Sequence, residues 1–405
     1  MVNKSSFRFL WMGQSLANCG DVFYIVGLIT TIYEATGSAT YMALVPFFIT
    51  TSRFVSGVIA PLIIDRTRLK LLLAYSQLGK TIIILLLAGF SSIFLSSNTI
   101  FLIFLFVIVI SFLDGWANPA SNALLPKLME PNNLVKANSF LAILDQTIRL
   151  GGWPVGGILV AVVGADNVIW LTFLLFVAST IMMALIKDND DDVMMDKKQK
   201  KLSKWDTLKE GWVTIWKTPP LRTISIIDFI ESIANVVWIA AIMYVYVDQV
   251  LQTNEQWWGY INSSFFAGLM IGGFLSLKWS HLVNQHLVMF IVVGAFLVSL
   301  TTLIFGLIST PWMALVIAML FGMANQIKAV AQQTTTQTSV AHRLLPKVYS
   351  AKDAIIAATF GVSSLLLGYL TDLFGVRFTF LLAATLLFSS AIFVVVNQKD
   401  LKINK

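Results

Sequence analysis

Long runs of Leu, Ile, Val, Phe and Ala recur along the chain, each about as long as a bilayer-crossing helix and separated by short polar turns. They predict twelve spans, at about 7–34, 40–64, 71–94, 99–121, 138–163, 168–187, 220–250, 257–279, 286–308, 311–337, 351–373 and 377–397. The first run follows directly on Lys4 and Arg8 and is too long for a cleavable leader, which predicts an N-terminus held in the cytoplasm. One polar stretch is long. It carries Asp190, Asp191 and Asp192, then Lys197, Lys198, Lys200 and Lys201, and reads as a solvated linker. After it, Ser203 and Asp206 resemble a capping box, and Trp205, Leu208, Trp212, Ile215 and Trp216 recur at helical spacing. That pattern predicts a helix lying on the inner membrane surface. The chain thus divides into an N-terminal six-helix half (1–187), a cytoplasmic linker with an interfacial helix (188–219) and a C-terminal six-helix half (220–405).

The halves echo each other. Ser15-Leu16-Ala17-Asn18 in span 1 returns as Ser232-Ile233-Ala234-Asn235 in span 7, and Leu124-Leu125-Pro126-Lys127 after span 4 returns as Leu344-Leu345-Pro346-Lys347 after span 10. Two echoes at nearly one offset and at equivalent places predict a duplicated six-helix unit in parallel orientation, a transporter architecture.

Composition narrows the class. Of 405 residues 57% are hydrophobic and 12% charged, which excludes a water-soluble globule. The net charge of +7 reads as topology and not as nucleic-acid binding: nearly all lysines and arginines outside the spans fall on one side, with only Arg377 at an outer end. Both termini are therefore expected in the cytoplasm. Tryptophans 170, 257, 258 and 312 at outer span ends and Trp11 and Trp279 toward the inner side fit an aromatic belt. A single cysteine, Cys19, and three histidines exclude a disulfide framework and a His/Cys metal cage, so no metal or other cofactor is expected. A G-x-x-x-x-G-K-[ST] loop is absent, and no nucleophile-base set marks an enzyme.

The turn Asp65-Arg66-Thr67-Arg68-Leu69-Lys70 after span 2 resembles part of the loop signature of the major facilitator superfamily. Asn118-Pro119-Ala120, Ala123-Leu124-Leu125-Pro126, Leu134 and Ala137-Asn138 are similar to the span 4 to 5 loop of its drug:proton antiporter branch, which includes macrolide-efflux proteins and enterobactin-type siderophore exporters. Span 5 adds Gly151-Gly152-Trp153-Pro154-Val155-Gly156-Gly157, similar to the antiporter motif of that superfamily. The resemblance implies an all-α membrane protein with two pseudo-symmetric halves that exports by alternating access. It gives Asp65, Arg66 and Arg68 a latch role, against plain positive-inside anchoring. Gly152, Pro154 and Gly156 serve either close helix packing or a kink.

Ionisable groups at bilayer depth are the functional candidates, because each costs at least roughly 2.5 kcal/mol to insert unless it pairs or reaches water. Asp21 lies about 20 Å along its helix from Arg8, and Arg53 about 18 Å from Asp65, at 1.5 Å per residue. Arg53 is either the partner of Asp21 or a contact for an anionic cargo. Glu231 and Asp228, three apart on one face of span 7, compete for a proton, with Glu231 favoured and Asp228 able to reach the inner surface. The proton-coupling candidates are therefore Glu231, Asp21 and Asp228. Asp145 and Arg149, four apart on span 5, form an internal pair. Lys80 and Lys328 are read as carrying their charge toward the interface on long stems, and Asp114 as solvated near the inner end of span 4. Arg53, Asp21, Glu231, Arg149, Lys328 and Asn325 are the substrate-binding candidates.

The expectation is a proton-coupled secondary exporter in a bacterial cell membrane, monomeric, with a small molecule, protons and membrane lipid as partners and no nucleic acid. Basic groups balancing the buried acids favour an anionic or zwitterionic cargo, such as a metallophore or siderophore-like metabolite. Macrolide-type or multidrug efflux is the alternative, lipid flipping a third reading, and an enzyme or sensor is disfavoured.

Overall fold

The structure is a computed structural model that describes residues 4–36, 39–64, 67–94, 99–187, 204–238, 240–254 and 256–401. Those residues form fifteen α-helices and no strand. In chain order they are α1 (Lys4–Thr36), α2 (Ala39–Ile64), α3 (Leu69–Phe94), α4 (Ile100–Leu128), α5 (Leu134–Val163), α6 (Ala165–Ala184), α7 (Lys204–Lys217), α8 (Pro219–Ala234), α9 (Ala240–Gln249), α10 (Gln256–Lys278), α11 (Ser280–Gln285), α12 (Leu287–Leu307), α13 (Pro311–Thr338), α14 (Leu345–Phe374) and α15 (Val376–Val396). Eleven are long and apolar enough to cross a membrane singly. The expected span at 220–250 is broken: α8 ends in a 3-10 turn at Asn235–Trp238, and α9 continues at an angle of 42°. Counted as one crossing, the pair makes twelve. Helices dominate because a hydrocarbon environment offers the backbone no partner but itself.

Punctuation repeats between the halves. Gly164 before α6 has φ +87° and ψ 155°, and Gly375 before α15 has φ +83° and ψ 158°. A residue with a Cβ would be strained there, so glycine permits the tight reversal in both places. Pro219 and Pro311 open α8 and α13 where a missing N–H costs nothing.

Contacts gather the chain into two compact units. One comprises Met1–Glu130, Thr147–Val213 and His342–Ala354; the other comprises Pro131–Gln146, Thr214–Ala341 and Ile355–Lys405. In the first unit, α1, α2, α3, α4 and α6 enclose a core around Tyr24, Leu28, Val45, Ile84, Phe104 and Phe176. The start of α14 joins it, with Ser350 Oγ donating to the Gly57 carbonyl and Lys347 paired with Glu210 of α7.

In the second unit, Trp238 stacks on Phe321 at 4.0 Å and lies 4.7 Å from Phe305, within a core drawn from α9, α10, α12, α13, α14 and α15. The crossing of α10 and α13 is backbone on backbone. A Cβ on Gly268 would overlap the Met319 carbonyl, and one on Gly322 the Phe265 carbonyl. The first turns of α5 belong to this unit, where Asn138 Nδ2 donates to Thr334 Oγ1 at 3.0 Å and to Gln337 Oε1 at 2.7 Å.

Candidate functional site

Four helices of the first unit each bring one charged side chain to a common level. Counted from the helix ends near the basic turns at 1.5 Å per residue, Arg53, Lys80, Asp114 and Asp21 all lie about 17 to 25 Å along their helices. Lys80 is at the centre: Nζ donates to both oxygens of Asp21, at 2.8 and 2.9 Å, and to Asp114 Oδ1 at 3.0 Å. Its ammonium also stands 4.9 Å from the centre of the Phe176 ring. Arg53 Nη2 meets the other oxygen of Asp114 at 2.5 Å. Two cations and two carboxylates make the cluster neutral.

This arrangement corrects three expectations. Arg53 takes Asp114 as its ion partner instead of Asp21. Asp114 is 8% exposed and held by two cations, so it is not solvated. Lys80 does not reach the interface, because its side chain is 1% exposed and converging carboxylates hold it inside. Arg53 differs from its neighbours. Its side chain is 43% exposed, and Asp114 occupies one prong of the guanidinium, leaving the rest able to grip a planar anion.

In the second unit α8 and α13 carry the other buried pair. Lys328 Nζ lies 2.7 Å from Glu231 Oε1, with side-chain exposures of 1% and 9%. Lys328 therefore does not snorkel either. The contact is one of charge and distance, since Nζ makes no well-aligned hydrogen bond among the described residues, nor does Nε2 of Gln332 one turn along α13. Gly294 of α12 abuts the stem of Lys328 and makes room for it. Asp228, half-buried one turn before Glu231, acts on it electrostatically. Asn325 is half-buried, one turn before Lys328.

Other expected residues fall elsewhere. Asp65 and Arg66 lie outside the described residues, while the Arg68 carbonyl accepts the Leu72 N–H at 2.9 Å at the start of α3. Asp145 belongs to the segment of α5 in the second unit, and Arg149 to the segment in the first. Gly152 and Gly156 face α1: a Cβ on either would come within 3.2 Å of Val22 or Val26. Pro154 is exposed on another face of α5, which runs on as helix through it to Val163.

Twelve crossings, a repeated turn and charges buried at mid-helix find their match in a known family, for residues 10–352 fit the Major Facilitator Superfamily. The chain belongs to the major facilitator superfamily. As such it is a multi-pass membrane transporter of a small molecule and not an enzyme. It is 32% identical over 394 residues to the uncharacterized MFS-type transporter YfmI of Bacillus subtilis strain 168, covering 97% of this chain and 96% of YfmI. With the uncharacterized MFS-type transporter YjbB of the same organism it shares 25% over 384 residues, covering 95% and 93%. Among solved superfamily structures, a bacterial homologue of the iron transporter ferroportin in its outward-facing state aligns with a TM-score of 0.78 at 11% identity, over 97% of this chain and 99% of that one. The human organic anion transporter MFSD10 aligns with a TM-score of 0.76 at 11% identity, over 96% and 99%. Those two likenesses are of fold alone.

Proposed function

We propose that this transporter is a proton-coupled exporter of a small zwitterionic or anionic molecule, with metallophore-like metabolites the leading class, working as a monomer in a bacterial cell membrane. The observation that carries the reading is the Glu231–Lys328 pair, an acid and a base buried together on facing helices. Protonating Glu231 leaves the Lys328 ammonium uncompensated, at a cost of about 3–5 kcal/mol, so the proton-loaded molecule favours a different arrangement. That links proton occupancy to conformation.

Charge also selects the cargo. Exchange requires that proton and cargo exclude each other, and a cargo ammonium competes with a proton for the Glu231 carboxylate. A purely anionic cargo would prefer the protonated site and travel with the proton, so a zwitterion fits exchange better. Within the first unit, the partly exposed guanidinium of Arg53 suits a carboxylate.

Metabolite profiling of medium from deletion and wild-type cells would identify the cargo, and proteoliposomes holding the purified chain would then test the coupling. The expected result is cargo movement driven by an imposed proton gradient in wild type, and gradient-independent counterflow alone in Glu231→Gln. Gradient-driven transport by Glu231→Gln at wild-type rate would overturn the assignment. Efflux of a cationic drug of macrolide type is the second reading, favoured by the same carboxylate. It would appear as drug hypersensitivity of the deletion strain with an unchanged metabolite profile.

A further inference from the structure

Helix α7, between the last span of the first half and the first span of the second, carries three distinct faces. At 100° per residue, Thr207, Gly211 and Ile215 form one stripe, and all three are buried. Trp205, Trp212 and Trp216 form a second stripe roughly 120° away, with exposures of 70%, 38% and 59%. Asp206 and Lys217 are exposed on the third. The single apolar face expected from the sequence is thus divided, Ile215 going to the protein side and the tryptophans outward.

The buried side grips another helix. Glu210 forms an ion pair with Lys347, whose side chain is 0% exposed, and Gly211 sits so close to the Lys347 carbonyl that a Cβ there would overlap it. Lys347 belongs to the first turn of α14, which is itself one of the membrane-crossing helices.

The geometry points to a lipid-seated clasp: we propose that the tryptophan face of α7 rests among phospholipid headgroups, and that this seat maintains the Glu210–Lys347 grip on the start of α14. The occupant follows from position and chemistry. Because α7 ends at Lys217, just before α8 opens the seventh crossing at Pro219, its end stands where that crossing begins, which is the level of a bilayer surface. An indole, apolar in body with one N–H, is the side chain suited to that zone. Lys209, 5.7 Å from the Trp205 ring centre, flanks the stripe with a cation suited to lipid phosphate. The bilayer surface then acts as a ligand of one transporting helix, independently of cargo or proton.

The full chain in nanodiscs of phosphatidylethanolamine and phosphatidylglycerol tests both halves of the idea without any transport assay. On a Cys19→Ser background, an environment-sensitive fluorophore attached through Trp216→Cys is expected to be quenched several-fold more by headgroup-region spin-labelled lipid than one attached through Asp206→Cys. Equal or negligible quenching at the two positions would overturn the lipid seat, including the case where a protein partner covers the tryptophans. For the clasp, hydrogen exchange over 345–352 is expected to quicken roughly threefold to tenfold in Glu210→Gln, whose tryptophans remain in place. A comparable rise is expected when Trp205, Trp212 and Trp216 are all changed to Ser. Exchange there unchanged in the tryptophan variant would overturn the coupling, even with the lipid contact demonstrated.

Discussion

The ammonium of Lys80 reaches both carboxylate oxygens of Asp21, 59 positions away in the chain, and does so with its side chain 1% exposed. A lysine so enclosed depends on its acids, and Asp114 serves two cations where Asp21 serves one. Asp114→Asn should therefore lower the melting temperature of the purified protein more than Asp21→Asn, with a loss on the order of 3–5 kcal/mol for the former. Differential scanning fluorimetry of the two variants checks the order. The reverse ranking would mean that Asp114 is not the hub.

Glu231 and Lys328 should behave as one unit in stability and as two in function. Either Glu231→Gln or Lys328→Gln alone strands a buried charge, and the double substitution removes both, so the double variant should recover much of the melting temperature lost in each single variant. Proton-driven transport should stay absent in all three. Additive losses of stability would disprove direct coupling.

In the proposed cargo role, Arg53 would grip a carboxylate through the planar edge of its guanidinium that Asp114 does not occupy. Arg53→Lys should keep an ion pair with Asp114 and a near-normal melting temperature, while weakening cargo binding by about tenfold, the scale of one lost charge-assisted hydrogen bond. Isothermal titration with the identified cargo measures this, and unchanged affinity would exclude the contact.

Glycines in helices separate by what stands opposite them. Gly268→Ala drives a Cβ into the Met319 carbonyl, where backbone has no way to yield cheaply, and should cost about 1–3 kcal/mol. Gly151→Ala meets nothing within 4 Å and should be neutral or stabilising by up to about 1 kcal/mol. Paired thermal melts decide the matter.

Crossings were legible because each is a long apolar run with a polar interruption, and the number of runs gave the number of crossings. Asp21, Arg53 and Glu231 were legible because depth follows from distance along a helix. Asp114 was not, and the cause is local. The apolar run of span 4 is expected to end near 121, which places Asp114 close to an end. In the structure α4 runs through both prolines to Leu128, and Asp114 is left about 21 Å from that end at 1.5 Å per residue. Partners stayed hidden for another reason. Asp21, Lys80 and Asp114 sit on three helices whose facing sides are set by tertiary packing, and no spacing along the chain reports that. The α7 stripe was visible as amphipathic, but only packing could divert Ile215 from the tryptophans.

The break in the seventh crossing gives its two pieces separate moorings. The second piece is tied down, since the Tyr246 hydroxyl sits between the carbonyls of Ile308, at 2.7 Å, and Phe305 with its one proton shared between them, and Trp238 is wedged between aromatic rings at the joint. An unbroken rod would have to carry Glu231 and these anchors together. With the joint at Asn235–Trp238 between them, each piece has its own attachments, the one bearing Glu231 through the core around Ile224 and Ile227 and the pair with Lys328, the other through Tyr246.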